Sequence, residues 1–211
     1  FNKLENDTLK LQVKPIDLIT QLRNLTDIFR VTANEKGVTF RTYGLEDSLT
    51  IWADEDMLDK ICFNLLSNAM KFTPAGGKVE FGLDVISREE ALKFFDLGDK
   101  DVDSRYMKVV VKDTGPGIPE NQLERIFDRY YQLENQMRGV YNWGTGIGLY
   151  FAKTLARMHH GYLKAGNRDE GTGAAFTLLL PISESSYADS EKVQLEVKDD
   201  NCPYIVSSVK Y

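Results

Sequence analysis

The sequence lacks most of the features that would place it outside ordinary globular proteins. Its 211 residues include only 2 cysteines, Cys62 and Cys202, which offer neither a disulfide framework nor the spacing of a zinc site. No apolar run approaches the ~20 residues that cross a bilayer, and no signal peptide opens the chain. The net charge of −6, without any long basic run, gives no support for nucleic-acid binding. We therefore expect a cytoplasmic domain that itself contacts neither nucleic acid nor membrane.

The order of predicted elements indicates an α+β domain. The periodicity predicts a helix that starts at Asp17 and ends before Gly37, two strands, a helix over residues 54–73, two more strands, a long polar segment, a helix and two closing strands. Helices on one face of a mixed, mostly antiparallel sheet satisfy this order, as a two-layer α/β sandwich. We expect strands 38–43 and 49–53 to pair with each other across a turn.

The predicted helix over residues 54–73 carries two stripes of side chains. At about 100° per residue, Asn64, Asn68 and Lys71 fall within a sector of roughly 60°. A second stripe is apolar and can face a core, and it consists of Leu58, Ile61, Leu65 and Ala69. Amide oxygens can bind a hard cation and an ammonium can hold a phosphate, so the polar stripe is a candidate site. The alternative is the solvated face of an ordinary amphipathic helix.

The first of three glycine clusters, DTGPGI over residues 113–118, follows a predicted strand. A carboxylate held there by Asp113 can accept a hydrogen bond from the exocyclic amine of adenine, whereas guanine presents an oxygen at that position. Asp113 would therefore select ATP over GTP. The alternative interpretation is a Gly-Pro-Gly turn that Asp113 caps.

The second cluster, GTGIGL over residues 144–149, opens a predicted helix. Alternate glycines let backbone N–H groups converge, and the helix N-terminus adds partial positive charge, so phosphates fit there. The cluster is not a P-loop, because no G-K-[ST] follows, and its spacing is not that of the dinucleotide fingerprint. The third cluster, GTG over residues 171–173, precedes the last strand and taken alone predicts a hairpin turn.

Together the motifs are much more specific than any one of them. In chain order the sequence carries NLLSNAMKFT, DTGPGI, IFDRYY, GTGIGL and GTGAAF. This series resembles the catalytic, ATP-binding domain of sensor histidine kinases, in the ATPase superfamily shared with gyrase and the MutL repair proteins. The resemblance covers about residues 15–182. It implies a Bergerat-type ATP-binding fold with a long lid over ATP.

The resemblance implies a role for each matched position. Asn68 would bind the Mg²⁺ that bridges the phosphates, with Asn64 beside it, and Lys71 would contact phosphate oxygens; these three are the candidate catalytic residues. Asp113 would contact the adenine amine. The other residues implied to surround the nucleotide are Gly115, Gly117, Ile118, Phe127, Arg129, Tyr131, Gly144, Thr145, Gly146, Ile147, Gly148, Leu149 and Thr172.

Asn64 distinguishes two kinds of reaction. Hydrolases of the superfamily place a general-base Glu at this position, and an amide cannot take a proton from water at neutral pH. The sequence therefore favours phosphoryl transfer to a histidine. His159 and His160 lack the family's acceptor context, and we interpret them as a helix-terminal pair favoured by the helix dipole. A self-contained ATPase of the same superfamily and a catalytically silent nucleotide-binding module are the alternatives.

The resemblance also predicts the organisation of the protein. Residues 1–14 resemble the end of an upstream dimerisation helix and its linker, residues 15–183 the ATP-binding domain with a lid at about 115–143, and residues 184–211 a linker or tail. We expect the acceptor histidine on an upstream dimerisation domain, homodimeric in the full-length protein. A receiver domain, in cis or in trans, would take the phosphate in a two-component phosphorelay. The full-length protein would be a membrane-anchored sensor, and the tail also fits a hybrid kinase.

Residues 87–105 interrupt the family pattern as an insertion. Ser87 and Glu90 fit a capping box that starts a short helix. Asp99, Asp101 and Asp103 resemble the start of a calcium loop, but the glycine and the bidentate Glu that such a loop needs are missing. We expect a solvated insertion without a metal, which contacts the dimerisation helices or the receiver domain.

Overall fold

A computed structural model describes residues 9–98, 103–131 and 146–193 of the chain. The strands in these ranges are β1 (Lys14–Asp17), β2 (Thr39–Tyr43), β3 (Thr50–Ala53), β4 (Lys78–Ser87), β5 (Arg105–Asp113), β6 (Tyr162–Asn167) and β7 (Ala174–Pro181). The helices are α1 (Leu18–Lys36), α2 (Glu55–Phe72), α3 (Arg88–Ala91) and α4 (Gly148–Met158). Short 3₁₀ turns lie at Glu120–Gln122, Arg125–Phe127, Glu184–Ser186 and Asp189–Glu191.

The main sheet has the strand order β2-β4-β5-β7-β6. Only β2 and β4 pair in parallel, through a crossover that contains α2, while the other neighbours are antiparallel. Val79 and Phe81 of β4 are fully buried in the core that the main sheet shares with α1, α2 and α4. The predicted two-layer α+β architecture with a mixed, mostly antiparallel sheet is therefore confirmed.

The two long helices begin and end where the sequence indicates. The Asp17 side chain accepts a hydrogen bond from the Thr20 N–H, and Gly37 ends α1 in the left-handed conformation that glycine adopts at low cost. Asp54 caps α2 by accepting from the Met57 N–H at 3.0 Å. The predicted apolar stripe of α2 is buried against the sheet and comprises Leu58, Ile61, Leu65 and Ala69.

The prediction that residues 38–43 pair with residues 49–53 is wrong. Strand β2 pairs with β4, and β3 instead forms a separate two-stranded sheet with β1. In this arrangement Ile51 and Ala53 are almost completely buried in the core. If β3 paired with β2 instead, it would lie at the outer edge of the main sheet, and these two side chains would be less buried. Proline has no backbone N–H to donate. Pro15 is nevertheless accommodated in β1, because a strand of a two-stranded sheet has one side that pairs with no other strand.

The described part of the insertion is mostly exposed, but the expectation of a solvated insertion is wrong for its buried residues Ala91, Phe95, Leu97 and Asp103. Ser87 and Glu90 form the predicted capping box. Ala91 and Phe95, four residues apart, lie on the outer face of the main sheet against Tyr106. This contact creates a second, smaller core on the face of the sheet that the long helices leave uncovered.

Asp103 ties the insertion to the end of β7. Its carboxylate accepts hydrogen bonds from the backbone N–H groups of Ile182 and Ser183 at 2.9 and 2.7 Å, and from the hydroxyls of Ser183 and Ser186. Burial alone would raise the pKa of Asp103, but these hydrogen bonds together lower it. Asp99 and Asp101, the other acidic residues of the supposed calcium loop, lie outside the described residues.

The first and last described segments pack side by side. Val13 forms a parallel bridge with Lys192, and its N–H donates to Glu191 O at 2.7 Å while its carbonyl accepts from the Val193 N–H at 2.9 Å. Residues 13 and 191–193 lie outside the predicted domain limits of 15 and 183, yet they pair with each other beside the domain. The domain boundaries themselves stay a prediction. No helix in the described ranges is long and apolar enough to cross a membrane.

The two histidines at the end of α4 hold parts of the fold together. His159 is buried: its Nε2 accepts from the Asp54 N–H at 3.1 Å and its Nδ1 donates to Leu155 O at 3.2 Å. These partners require a neutral ring, and burial lowers the pKa of His159 accordingly. His160 Nε2 lies 2.9 Å from Glu191 Oε1. The pair is structural, but His159 acts through neutral hydrogen bonds rather than as a cation at the helix dipole.

Candidate nucleotide-binding site

A largely apolar pocket opens between α2, the start of α4 and the ends of β5 and β7. Its lining consists of Asn68, Phe72, Asp113, Pro116, Gly117, Ile118, Ile126, Leu149, Ala174 and Phe176. Asp113 is the single ionisable side chain among these lining residues. A flat apolar ring with one hydrogen-bonding edge fits such a pocket.

Asp113 ends β5 and is only 3% exposed. Its Oδ1 accepts two backbone hydrogen bonds, from Gly115 N–H at 2.8 Å and from Ala174 N–H at 3.3 Å. Burial raises the pKa of Asp113, although these hydrogen bonds and the charge of Arg168 oppose the shift. Because Oδ1 is occupied, Oδ2 is the oxygen available to a donor on a ligand.

The loop that follows Asp113 forms one wall of the pocket. Gly117 has φ of 76°, a conformation that costs glycine little and other residues more. Ile118 follows with its side chain 7% exposed in the pocket. The backbone of Ile118 is held by Asn167, whose side-chain amide exchanges two hydrogen bonds with it at 2.8 and 2.7 Å.

The polar stripe of α2 faces the open side of the site. Asn64 Nδ2 donates to Lys60 O at 2.7 Å, and its Oδ1 lies beside Gly148 at the start of α4. Asn68 lines the pocket, and its side chain forms no hydrogen bond within the described ranges. Lys71 Nζ lies 4.8 Å from the centre of the Phe72 ring, and desolvation lowers the pKa of Lys71. The stripe therefore presents amide oxygens and one cation to a ligand.

The N-terminus of α4 lies directly against this stripe. A Cβ atom at Gly148 would lie 2.7 Å from Asn64 Oδ1, so a larger residue there would displace the Asn64 side chain from its position against α4. No described side chain caps α4 at Ile147, and among the described residues none accepts from its first backbone N–H groups, which can bind an anion. Leu149 contributes to the apolar pocket. Gly144 and Thr145, the first two residues of the predicted phosphate cradle, lie outside the described residues.

The residues of the IFDRYY motif take three different positions. Phe127 is buried and meets the pocket residue Phe176 edge-on, with ring centres 6.4 Å apart. Arg129 lies outside the pocket, with its guanidinium 4.8 Å from the Tyr130 ring centre, in a cleft beside α4. Tyr131 packs partly against the core. The Tyr130 N–H donates to the carbonyl of Gly146 at 3.0 Å, which joins the segments on either side of residues 132–145.

Thr172, like Arg129, is a predicted site residue that does not line the apolar pocket. It lines a second cleft behind the Gly117–Ile118 wall, together with Asn167, while Ala174 reaches the apolar pocket. Five residues that line the pocket were not among the predicted site residues, namely Phe72, Pro116, Ile126, Ala174 and Phe176. All five lie within the quoted motifs, so their apolar character there was the available signal.

Comparison with known proteins agrees with this geometry. Residues 53–184 match the family described as "Histidine kinase-, DNA gyrase B-, and HSP90-like ATPase", which is more than half of the 211 residues. The chain belongs to this family. The match spans the helix that carries Asn64 and Asn68, the Asp113 loop and the start of α4, which are the three parts that meet at the pocket.

The similar proteins include several named as histidine kinases. Histidine kinase P4 of Formosa agariphila is 28% identical over 97% of this chain and 14% of its own length. Hybrid signal transduction histidine kinase D of Dictyostelium discoideum is 31% identical over 95% of this chain and 12% of its own length. The chain thus spans about one-seventh or less of these curated relatives. The crystal structure of full-length ShkA in complex with AMPPNP has a TM-score of 0.65 and 27% identity, covering 86% of this chain and 34% of ShkA.

The fold is accordingly that of the ATP-binding domain of histidine kinases. The predicted family, fold and ATP-binding class are confirmed by the family match, the homologues and the ShkA structure. The roles of individual site residues are not addressed by these similarities and stay predictions.

Proposed function

We propose that this chain is the catalytic domain of a sensor histidine kinase and that it transfers the γ-phosphate of Mg·ATP to a histidine on a separate dimerisation domain. The observation that carries the proposal is Asn64. It lies one turn before Asn68 on α2, with Oδ1 against the start of α4, where a hydrolase of the superfamily would place its general base. An amide there cannot activate water.

Adenine would occupy the apolar pocket. Its exocyclic amine would donate to Asp113 Oδ2, whose partner oxygen is held by two backbone N–H groups. The walls formed by Ile118 and Leu149 would contact the two faces or edges of the ring, because both side chains line this pocket. The buried carboxylate supplies the specificity for adenine, and the apolar lining supplies the contact area.

The phosphates would extend from the pocket toward the polar stripe of α2. The N–H groups at the start of α4 and the ammonium of Lys71 would bind phosphate oxygens. Asn68 fits the hard-oxygen preference of Mg²⁺, because its amide lacks a partner within the described ranges and lines the pocket. When bound, Mg²⁺ would neutralise phosphate charge and orient the γ-phosphate.

The protein's part in the transfer is positioning and charge neutralisation. A nitrogen of the acceptor imidazole would attack the γ-phosphorus with its lone pair, and the bond from that phosphorus to the β–γ bridging oxygen would break, releasing ADP. Neither His159 nor His160 suits the acceptor role, since His159 is buried with both ring nitrogens bonded and His160 is held by Glu191. The acceptor domain, and a receiver domain that takes the phosphate onward, are the proposed partners.

The test is a reaction with γ-labelled ATP, Mg²⁺ and a separately purified dimerisation domain that carries the acceptor histidine. We expect acid-labile, alkali-stable label on that domain and little free phosphate. Asn68→Ala serves as the negative control. Steady phosphate release by the chain alone, without label on the acceptor domain, would instead identify a hydrolase and contradict the proposal.

A further inference from the structure

One side chain outside the nucleotide pocket holds the loop that forms its wall. Asn167 is the last residue of β6 and pairs in register with Ala174 of β7. Its Oδ1 accepts from the Ile118 N–H at 2.8 Å, and its Nδ2 donates to the Ile118 carbonyl at 2.7 Å. Donor and acceptor of one amide are thus both satisfied by the backbone of one residue, as a neighbouring strand would do.

Ile118 is the residue through which this contact reaches the pocket. Its side chain lines the apolar pocket, whereas Asn167 lies on the other side of the loop, in the second cleft. Gly117, between Asp113 and Ile118 in sequence, has positive φ, and a Cβ there would lie 3.0 Å from Asn167 Oδ1. The loop therefore approaches Asn167 closely at two successive residues.

The loop is anchored at both ends to the same strand pair. At its start, Asp113 Oδ1 accepts from the N–H groups of Gly115 and Ala174. At its far end, Asn167 holds Ile118. Ala174 adjoins both anchors, because it donates to Asp113 and pairs with Asn167 across the hairpin. The distance between the adenine-accepting carboxylate and the Ile118 wall is consequently fixed by these two contacts.

We infer that Asn167 is a positioning residue for nucleotide binding, which keeps the Ile118 wall at the separation from Asp113 that adenine needs. The inference rests on the proposed function. Asn suits this role because it offers a donor and an acceptor on one planar group. Alanine offers neither, and an ionised aspartate would place a second acceptor against the Ile118 carbonyl. Asn167 acts through Ile118 and does not itself contact the nucleotide.

The test compares Asn167→Ala with the wild-type chain by calorimetry with Mg·ATP. We expect about 10-fold weaker binding of Mg·ATP. Without the two hydrogen bonds with Asn167, the loop that carries Ile118 is less ordered in the free protein, and adenine binding has to order it. The rate of phosphoryl transfer at saturating ATP should stay unchanged, since the phosphate end of the site is intact. The matched control is Asn34→Ala, which removes an exposed amide on α1. Hydrogen exchange at the Ile118 amide should accelerate in Asn167→Ala only.

Asn167→Asp provides a second measurement and carries the test if Asn167→Ala does not fold. A protonated carboxyl can accept from the Ile118 N–H and donate to its carbonyl, as the amide does. The ATP affinity of this variant relative to wild type at the same pH should therefore recover as the pH is lowered. A packing role of the Asn167 side chain would not depend on pH, so such recovery would show that its hydrogen bonds to Ile118 are what matters for ATP affinity.

The two possible failures are distinguishable. If wild type binds ATP and folded Asn167→Ala binds it equally well while Ile118 exchanges faster, the positioning role is overturned and the proposed function stands. A lower transfer rate at saturating ATP with unchanged affinity would also overturn it. If the wild-type chain does not bind ATP, the proposed function fails, and this inference fails with it.

Discussion

The substitution Asp113→Asn changes the proposed adenine contact with almost no change in shape. Asp113 Oδ1 accepts from the N–H groups of Gly115 and Ala174 at 2.8 and 3.3 Å. In the variant these two donors fix the amide oxygen at the same position, so the amide NH₂ must face the pocket. The acceptor for the adenine amine is thereby replaced by a donor.

The size of the effect on binding follows from the lost hydrogen bond. A hydrogen bond to a charged group contributes about 1.5–3 kcal/mol, and its loss leaves two donors facing each other. At 1.4 kcal/mol per factor of ten, ATP affinity should fall about 10- to 150-fold. GTP should lose no affinity and should gain some, because the exocyclic carbonyl oxygen of guanine would meet the new donor.

The same substitution should stabilise the nucleotide-free fold. Burial raises the pKa of Asp113 above its ordinary value of 3.8, so the folded state disfavours the ionised form. A carboxyl with a raised pKa stabilises the fold below its unfolded pKa, and this stabilisation is lost as the pH rises through the folded pKa. At pH 7 Asp113→Asn should thus increase the free energy of unfolding, and the difference should shrink in acid.

Calorimetric titration with ATP and GTP, together with urea unfolding at pH 7 and at acid pH, measures both effects on one sample. We expect lower ATP affinity, a lower ratio of ATP to GTP affinity and higher stability. A purely structural role for Asp113 would lower affinity and stability together. An unchanged ratio of ATP to GTP affinity would refute the adenine contact.

Three further substitutions test other parts of the account. Asn68→Ala should remove the Mg²⁺-dependent part of ATP affinity, measured by calorimetry with Mg²⁺ and with a chelator, and should leave the midpoint of thermal unfolding unchanged. If ATP binding by the variant depends on Mg²⁺ as strongly as in wild type, Asn68 is not a metal ligand. Gly148→Ala places a Cβ 2.7 Å from Asn64 Oδ1, so ATP affinity should fall about 10-fold, and wild-type affinity would contradict the close approach. Asp103→Asn should cost about 2 kcal/mol in urea unfolding at neutral pH. Because the pKa of Asp103 is lowered, that difference should diminish below pH 3.8, and a pH-independent difference would contradict the charge-assisted bonds.

The helices could be predicted from the sequence because their signals are local. Capping by Asp17 and Asp54 depends on residues three positions away, and the apolar stripe of α2 depends only on helical spacing. The same holds for the glycine clusters, whose conformation or close contacts restrict side chains at Gly117 and Gly148. These local signals did not show that the polar stripe, the adenine loop and the start of α4 belong to one site; that prediction came from the resemblance of the motif series to the histidine kinase ATP-binding domain.

Strand pairing and packing of the insertion could not be predicted in the same way. The partner of β3 is β1, which precedes a 19-residue helix, and no local pattern distinguishes this partner from the adjacent β2. The insertion reads as polar, yet Phe95 packs on the outer face of the sheet. Asp103 was interpreted from its neighbours in sequence, whereas its partners Ser183 and Ser186 lie about 80 residues away.

Asn167 shows the same limit at the site itself. It lies 49 residues from Ile118 and belongs to none of the quoted motifs. A single polar residue at the end of a strand is most often solvated. Only the fold reveals that the Asn167 side-chain amide bonds to the adenine loop through both its oxygen and its NH₂ group. Thr172, chosen by its place in a glycine motif, lies in the cleft behind that loop instead.

A crystal structure of the chain with Mg²⁺ and AMPPNP would test the central claim most directly. The account predicts the adenine amine within about 3 Å of Asp113 Oδ2 and Mg²⁺ about 2.1 Å from Asn68 Oδ1. It further predicts phosphate oxygens at the first N–H groups of α4, beside Gly148. A nucleotide bound outside the apolar pocket, or a phosphate-bound Mg²⁺ without Asn68 among its ligands, would contradict the account.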